Sequence, residues 1–363
     1  MPQYSKLRRV RDSDHRTHVI DRLLELRTAL NDQIGSKKKP GSFTLATWNI
    51  RDFDSNKFGH GKRRPESFHY IAEILSNFDL TAVQEVNRDI SALEKTMDLL
   101  GPDYDFIVTD TTEGASGNTE RLAYVFNRKT IRFRNVAGEI VLPKHSGVLH
   151  GDDELQFART PFLVAFQAGW FKFSLCTVHI YYGAASGQKL QRRIKEISRL
   201  AHFFRKRQDK EREDFILLGD FNIVDQDHQT MKALTDAGFI IPDELRDDPS
   251  SFGNKHFYDQ IAMRVRDKRA EIGAAGVFDF KPYLYDGRDY DRYFDAMVPD
   301  QRDIYPSGNK KDQPRTEADK KKYFMNEWRT FQISDHLPMW VNIRTDFTDD
   351  YLNSLKPGAD VLT

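Results

Sequence analysis

The sequence predicts an α/β protein in which mixed β-sheets stack as a sandwich flanked by helices. Strand-like and helix-like patterns alternate along much of the chain, as in an α/β or α+β arrangement. Several strand patterns nevertheless follow one another directly, at 122–126, 131–136, 162–166 and 171–180, so antiparallel neighbours are expected and a purely parallel doubly wound sheet is disfavoured. Finally, 39% hydrophobic residues, with 26 Phe and 14 Tyr among 363, supply a substantial core for one domain with additions.

The elements follow in order. Val19, Leu23, Leu26 and Leu30 make a helical stripe from about Thr17 to Ile34, with basic flanks at Lys6–Arg16 and Lys37–Lys39. Residues 1–42 therefore read as a helical N-terminal extension, either an arm that touches DNA or a partner, or a helix packed on the domain. Pro40-Gly41 ends it. A first strand runs from Phe43 to Ile50, a helix from Pro65 to Asn77 with Phe68, Ile71, Ile74 and Leu75 inward, and a short buried strand over 80–83. Residues 90–100 are helical, and 113–118 form a Gly-rich loop before the strand run. Leu190, Ile194, Ile197, Ala201 and Phe204 then stripe a basic helix. A strand of four consecutive apolar residues, Phe215-Ile216-Leu217-Leu218, is too short for a helix and reads as buried on both faces. A short helix at 231–237 and strands at 257–265 and 339–343 complete the domain, taken as 43–345. Within it, 287–328 is poor in aliphatics and reads as a partly flexible surface insertion, and 346–363 as a C-terminal tail.

Composition excludes some classes of function. Net charge is zero, so binding nucleic acid through bulk charge, as histones do, is not expected. Residues 186–212 still concentrate ten Lys/Arg against Glu196, Asp209 and Glu211. No run of 18 apolar residues spans a membrane, and the lone Cys176 forms no internal disulfide, which suits a cytoplasmic setting. Nothing in the composition names a protein partner.

The chemistry gathers at strand ends. Gly219 closes the buried strand and lets the backbone approach a neighbour closely. Asp220 and Asn222 follow it at i and i+2, leaving an extended chain on one side. Alone, this pair reads either as a holder for a metal-bound phosphate or water, or as an ordinary turn. Polar groups recur at the other strand ends: Asn49, Glu85, His179, Asp259, and Asp335 with His336. Several carboxylates share a small site only when a cation offsets their repulsion. Oxygen donors without thiolates suit Mg²⁺, Mn²⁺ or Ca²⁺, and histidines beside carboxylates supply general acid and base groups. Together these describe phosphoester hydrolysis by water.

The ordered set Trp48-Asn49-Ile50, Gln84-Glu85-Val86, Glu120-Arg121, Arg159 before Pro161-Phe162, His179, Gly219-Asp220-Phe221-Asn222, Tyr258-Asp259-Gln260-Ile261 and Ser334-Asp335-His336-Leu337-Pro338 resembles the endonuclease/exonuclease/phosphatase superfamily, most closely its deoxyribonuclease I branch. The resemblance covers roughly residues 43–345. It implies a four-layered α/β sandwich of two packed mixed sheets between helices. It also implies a role at each matching position. Glu85, supported by Asn49 and with Asp335 nearby, would bind the divalent ion, and Asp220 would bind metal or orient the attacking water. Asn222 would hydrogen-bond the phosphate, as would Arg51 and Arg159. His336 oriented by Asp259 would be the base-side histidine, and His179 oriented by Glu120 would serve the leaving side.

His179 departs from the tyrosine of apurinic endonucleases, and Tyr258-Asp259-Gln260-Ile261 lacks the Cys-Asp-Arg of inositol 5-phosphatases. The two positions that place a tyrosine and an arginine in the DNA minor groove in deoxyribonuclease I are here Asn118 and Asn87, with Arg88 beside the second. The expectation is a Mg²⁺-dependent phosphodiesterase, a DNA endonuclease of low sequence specificity. The alternatives are a phosphatase or phosphodiesterase for a small or lipid-borne phosphate, sphingomyelinase-like or inositol-phosphate-like, and a non-catalytic binding module.

Overall fold

The computed structural model describes residues 2–111, 119–143, 148–150, 153–211, 213–253 and 255–356. Its strands are β1 (Ser42–Phe53), β2 (Leu80–Val86), β3 (Tyr104–Val108), β4 (Arg121–Asn127), β5 (Ile131–Glu139), β6 (Val148–His150) and β7 (Asp153–Leu155). They continue with β8 (Phe162–Ala168), β9 (Phe171–His179), β10 (Phe215–Asp220), β11 (Asp259–Arg264), β12 (Ile272–Val277) and β13 (Met339–Arg344). Four longer helices are α1 (Ser13–Gln33), α2 (Pro65–Leu75), α3 (Ser91–Leu100) and α4 (Gly187–Glu211).

The strands form a six-stranded sheet, β12-β13-β1-β2-β4-β3, a five-stranded sheet, β11-β10-β9-β8-β5, and the β6-β7 hairpin. Each large sheet has one parallel pair at its centre: β1 with β2 and β9 with β10. A parallel pair needs a crossover, which α2 provides in the first sheet and α4 in the second. All other pairings in the two sheets are antiparallel. The mixed-sheet sandwich expected from the sequence is therefore the fold.

Side-chain alternation along β1 explains the layering. Phe43 and Leu45 enter the core between the sheets, against residues such as Phe173 and Leu175, while Ala46, Trp48 and Ile50 enter a second core beneath α1–α3. On the far side, Ile197, Leu200, Ala201 and Phe204 of α4 cover the five-stranded sheet. The result is four layers: helices, sheet, sheet, helix. A polar bridge ties the sheets together, because Gln84 Nε2 donates to Thr47 Oγ1 at 3.1 Å and to Thr177 Oγ1 at 2.8 Å.

The N-terminal helix is packed rather than free. Leu26, Leu30 and Ile34 are fully buried in the second core, and Arg22 Nη2 meets the buried Asp289 at 2.9 Å. That contact also corrects the reading of 287–328 as a flexible surface insertion. Its polar residues are mostly exposed, but Tyr290, Tyr293, Met297, Tyr323, Phe324 and Trp328 are buried with α1 and α2 in the same core. Aromatic rings do here what aliphatics do elsewhere. In the segment read as a tail, Thr348–Ser354 is helical. Among the described residues, no helix is long and apolar enough to cross a membrane.

Candidate active site

The topology brings the polar strand ends to one rim of the sandwich. Asn49 pairs with Gln84 near the ends of β1 and β2, and Asp220 pairs with both His179 and Asp259 at the end of β10. β13 runs antiparallel to β1, so the residues before Met339 return to the same rim. Open α/β sheets place ligands at these carboxyl ends of parallel strands.

Asp220 is the hub. Its Oδ2 accepts from Asn49 Nδ2 at 3.1 Å and lies 3.6 Å from His179 Nε2 and 3.8 Å from His336 Nε2. Its Oδ1 accepts from the Asn222 backbone N–H at 2.8 Å. Both imidazoles are backed at Nδ1 by a second carboxylate: His179 by Glu120 Oε2 at 3.0 Å, His336 by Asp259 Oδ2 at 2.7 Å. Each dyad spans the sandwich. Glu120 precedes β4 of one sheet and His179 ends β9 of the other; His336 precedes β13 of the first and Asp259 opens β11 of the second.

Charge follows from these partners. Burial opposes the His336 cation, but Asp259, Asp220 and Asp335 prevail and hold its pKa well above the usual histidine value. Burial likewise works to raise Asp220, yet His336, His179, the Asn222 N–H and Asn49 hold it below the usual carboxylate value. Asp259 is raised by burial despite its pairing with His336. For Glu120, burial is outweighed by His179, Arg159 and Lys57, and the pKa falls to about 2.

Glu120 gives a pH prediction. Its carboxyl titrates at 4.5 unperturbed and at about 2 when folded, so its stabilisation is fully present above 4.5 and is lost as pH falls towards 2. The stability difference between wild type and Glu120→Gln, from urea titrations, is expected to shrink between about pH 5 and pH 2. A difference of constant size would contradict the ionic environment described.

On the other flank, Glu85 sits at φ 60°, a left-handed conformation uncommon for a non-glycine residue, where the β1–β2 and β2–β4 registers both shift. It accepts from Asn49 Nδ2 at 3.0 Å and from the Asp52 N–H at 2.9 Å. Arg51 is clamped: Nη1 donates to Thr330 Oγ1 at 2.5 Å, the guanidinium stacks 3.8 Å from the Phe331 ring centroid, and Nε lies 3.4 Å from Asp335. Arg159 Nε donates to Glu120 at 2.7 Å, sharing that carboxylate with His179. Asn222 Nδ2 donates to the Ile180 carbonyl at 2.8 Å, so this amide is braced by the backbone.

Among the described residues, no group of three His, Cys, Asp or Glu is arranged to hold a metal ion, so Glu85, Asp220 and Asp335 do not form a closed cage. Asn49 Oδ1, however, is buried without a hydrogen-bond partner among the described residues, beside the partly buried Glu85. One carboxylate and one orphaned amide oxygen fit a hard cation that keeps several waters and is completed by a substrate phosphate.

Sequence reasoning missed several residues. Arg193 is fully buried in α4; it donates to the Asn222 carbonyl at 2.9 Å, to the Ala184 carbonyl at 2.8 Å and to the Tyr182 carbonyl. Its signal was its place at i, i+4, i+7 and i+11 with Ile197, Leu200 and Phe204. Thr330 and Phe331 gave no such signal. The expected minor-groove position Asn87 is buried and bonded to Asp52 at 3.1 Å, whereas Asn118 lies outside the described residues.

No protein-family model matches the chain, and no curated protein does. Solved structures are similar. One is an endonuclease/exonuclease/phosphatase family protein from Bacteroides thetaiotaomicron, with 19% identity, 85% of this chain and 99% of that chain covered, and a TM-score of 0.51. Another is a mannosyl-6-phosphatase from the same organism, at 16% identity, 83% and 99% coverage and a TM-score of 0.52. A third is D. rerio TDP2 complexed with single strand DNA product, at 12% identity, 83% and 98% coverage and a TM-score of 0.50. At these identities the likeness is one of fold.

Proposed function

Starting from a chain that has the fold of the endonuclease/exonuclease/phosphatase proteins, we propose that it is a phosphoester hydrolase that cleaves the phosphodiesters of DNA. The observation that carries this reading is the pair of imidazoles, each backed by a carboxylate, whose Nε2 atoms lie within 4 Å of one Asp220 oxygen. Ester hydrolysis needs one group to take a proton from water and another to give one to the leaving oxygen. Asp259, Asp220 and Asp335 hold the His336 pKa above the usual histidine value against the effect of burial. The resemblance implies the base side for His336 and the leaving side for His179. Arg51 and Arg159 bring guanidinium groups suited to phosphate oxygens. Glu85 and Asn49 would hold Mg²⁺ or a similar ion, with Asp335 and Asp220 at hand, and the bound ion would polarise the phosphoryl oxygens.

Two features favour a nucleic acid. Half-exposed aromatic rings flank the site: Phe58 near Arg51, and Tyr182 near Tyr258, whose own ring is 5.7 Å from that of His336. Such rings are platforms for bases. The structural likeness to a protein seen with a DNA product points the same way. A small or lipid-borne phosphate is the second reading, favoured by the zero net charge and the buried Asn87, and in keeping with the sugar-phosphate phosphatase neighbour. The presence of both histidines and all their carboxylates counts against a silent binding module.

The test is hydrolysis of plasmid DNA, a single-stranded oligonucleotide, sphingomyelin and a set of phosphomonoesters, each with Mg²⁺, Mn²⁺, Ca²⁺ or EDTA. Metal-dependent nicking of plasmid, lost in His179→Ala, is expected. Turnover of the monoesters with plasmid left intact would transfer the assignment to the second reading. No turnover of any substrate would end both.

A further inference from the structure

Arg193 stands in the buried stripe of α4 with Ile197, Leu200 and Phe204, where an aliphatic side chain would be ordinary. A cation is buried at a cost unless its donors are met. Arg192 beside it meets a carboxylate, Glu196, at 3.1 Å, whereas every hydrogen-bond acceptor of Arg193 among the described residues is a backbone carbonyl. Those carbonyls belong to the two loops that leave the rim. In the loop after His179 and β9, Nε donates to Tyr182 at 3.0 Å, and Nη2 donates to Ala184 at 2.8 Å and again to Tyr182. In the loop after Asp220 and β10, Nη1 donates to Asn222 at 2.9 Å. Gly183, at φ 67°, gives the first loop the turn that sets both of its carbonyls against one guanidinium.

Asn222 needs such a grip. Its backbone is left-handed, at φ 53°, a conformation that asparagine enters more readily than most residues but that is uncommon outside glycine. Its N–H is held by Asp220 Oδ1 at 2.8 Å, and its Nδ2 donates to the Ile180 carbonyl at 2.8 Å. The carbonyl is the remaining tether, and Arg193 supplies it. An amide nitrogen carries two hydrogens. Ile180 takes one of them, and the direction of that bond decides where the other points. Leucine at 193 would leave the carbonyls of Tyr182, Ala184 and Asn222 without this donor, and lysine would offer a single ammonium in place of the planar fork.

We infer that Arg193 is a positioning residue for phosphoester hydrolysis. By tying the loop after β9 to the loop after β10, it fixes the Asn222 side chain so that its second amide hydrogen meets a phosphate oxygen of the substrate. The inference rests on the hydrolase reading above and adds to it a residue that acts through Asn222 without touching the substrate.

The test is a double-mutant cycle of Arg193→Lys and Asn222→Ala, with kcat and KM read on the substrate that the wild type cleaves best. Arg193→Lys is expected to lower kcat by about tenfold or more with KM within about threefold, and to lower it by less than about threefold in the Asn222→Ala background. Arg22→Lys, the same exchange at a buried arginine paired with Asp289 in the other core, is the control and keeps kcat within about twofold. A second readout needs no turnover. With the asparagine nitrogens isotope-labelled, the Asn222 side-chain amide signal, assigned by its loss in Asn222→Ala, is expected to shift in Arg193→Lys and to stay in Arg22→Lys. Arg193→Gln, which places no charge in the core, replaces the lysine variant where that one does not fold. The inference is overturned by a kcat within about threefold of wild type, by an equal loss in both backgrounds or in Arg22→Lys, by a loss carried by KM, by an unmoved amide signal, or by failure of both variants to fold. A wild type that cleaves none of the substrates overturns the hydrolase reading and this inference together, whereas the other outcomes overturn the inference alone.

Discussion

Replacing Asp220 by Asn is expected to lower kcat for phosphoester hydrolysis by about 10³–10⁴ while the chain stays folded. The side chain keeps its shape and can still accept the Asn222 N–H that now bonds to Oδ1 at 2.8 Å. What disappears is the buried negative charge 3.6 Å from one imidazole and 3.8 Å from the other. Asp220 is among the groups that keep His336 charged, so the variant's His336 should titrate at lower pH, visible in an NMR titration of the imidazole signals. Loss of the hub thus disturbs both imidazoles at once, whereas His179→Ala removes one. Activity is read on the substrate the wild type cleaves best, with circular dichroism and melting temperature as controls for folding. Retention of more than about a tenth of wild-type kcat would place the reaction elsewhere.

The second large effect is on stability. Gly219→Ala is expected to destabilise the chain by about 4 kcal/mol and to abolish activity in whatever fraction stays folded. Gly219 has φ 129°, and a Cβ built on it would stand 2.2 Å from the Val178 carbonyl oxygen and 2.9 Å from the Val178 nitrogen. Those are backbone atoms of the paired strand β9, in register with Gly219 itself. Relief requires parting β9 from β10 at the residues next to His179 and Asp220. Urea unfolding measures the effect; a loss below about 1 kcal/mol would mean that the strand ends yield more easily than their packing implies.

How much of this was legible in the sequence depended on the kind of signal. The run Phe215–Leu218 and the stripes at 68–75 and 190–204 declared themselves, because burial on a regular element imposes a period. The residues expected to form a site stood out as an ordered set at strand ends, and the structure brings Asn49, Glu85, Glu120, His179, Asp220, Asp259 and His336 into direct contact without testing their roles. β12 escaped notice because Ile272–Val277 is mostly glycine and alanine, which carry little hydrophobic alternation. Residues 287–328 misled because their buried groups are aromatic and scattered among charges. The bracing of Arg51 by Thr330 and Phe331 is a tertiary contact across some 280 positions, and local pattern holds no trace of it.

The splitting of each imidazole from its carboxylate has a consequence for partly structured forms of the chain. A state that keeps its strands and helices but lets the two sheets drift by a couple of ångströms would part His179 from Glu120 and His336 from Asp259 together. Such a molten form would look native by far-UV spectroscopy and yet be chemically inert. The paired geometry at the rim therefore arrives only with the final docking of one sheet on the other.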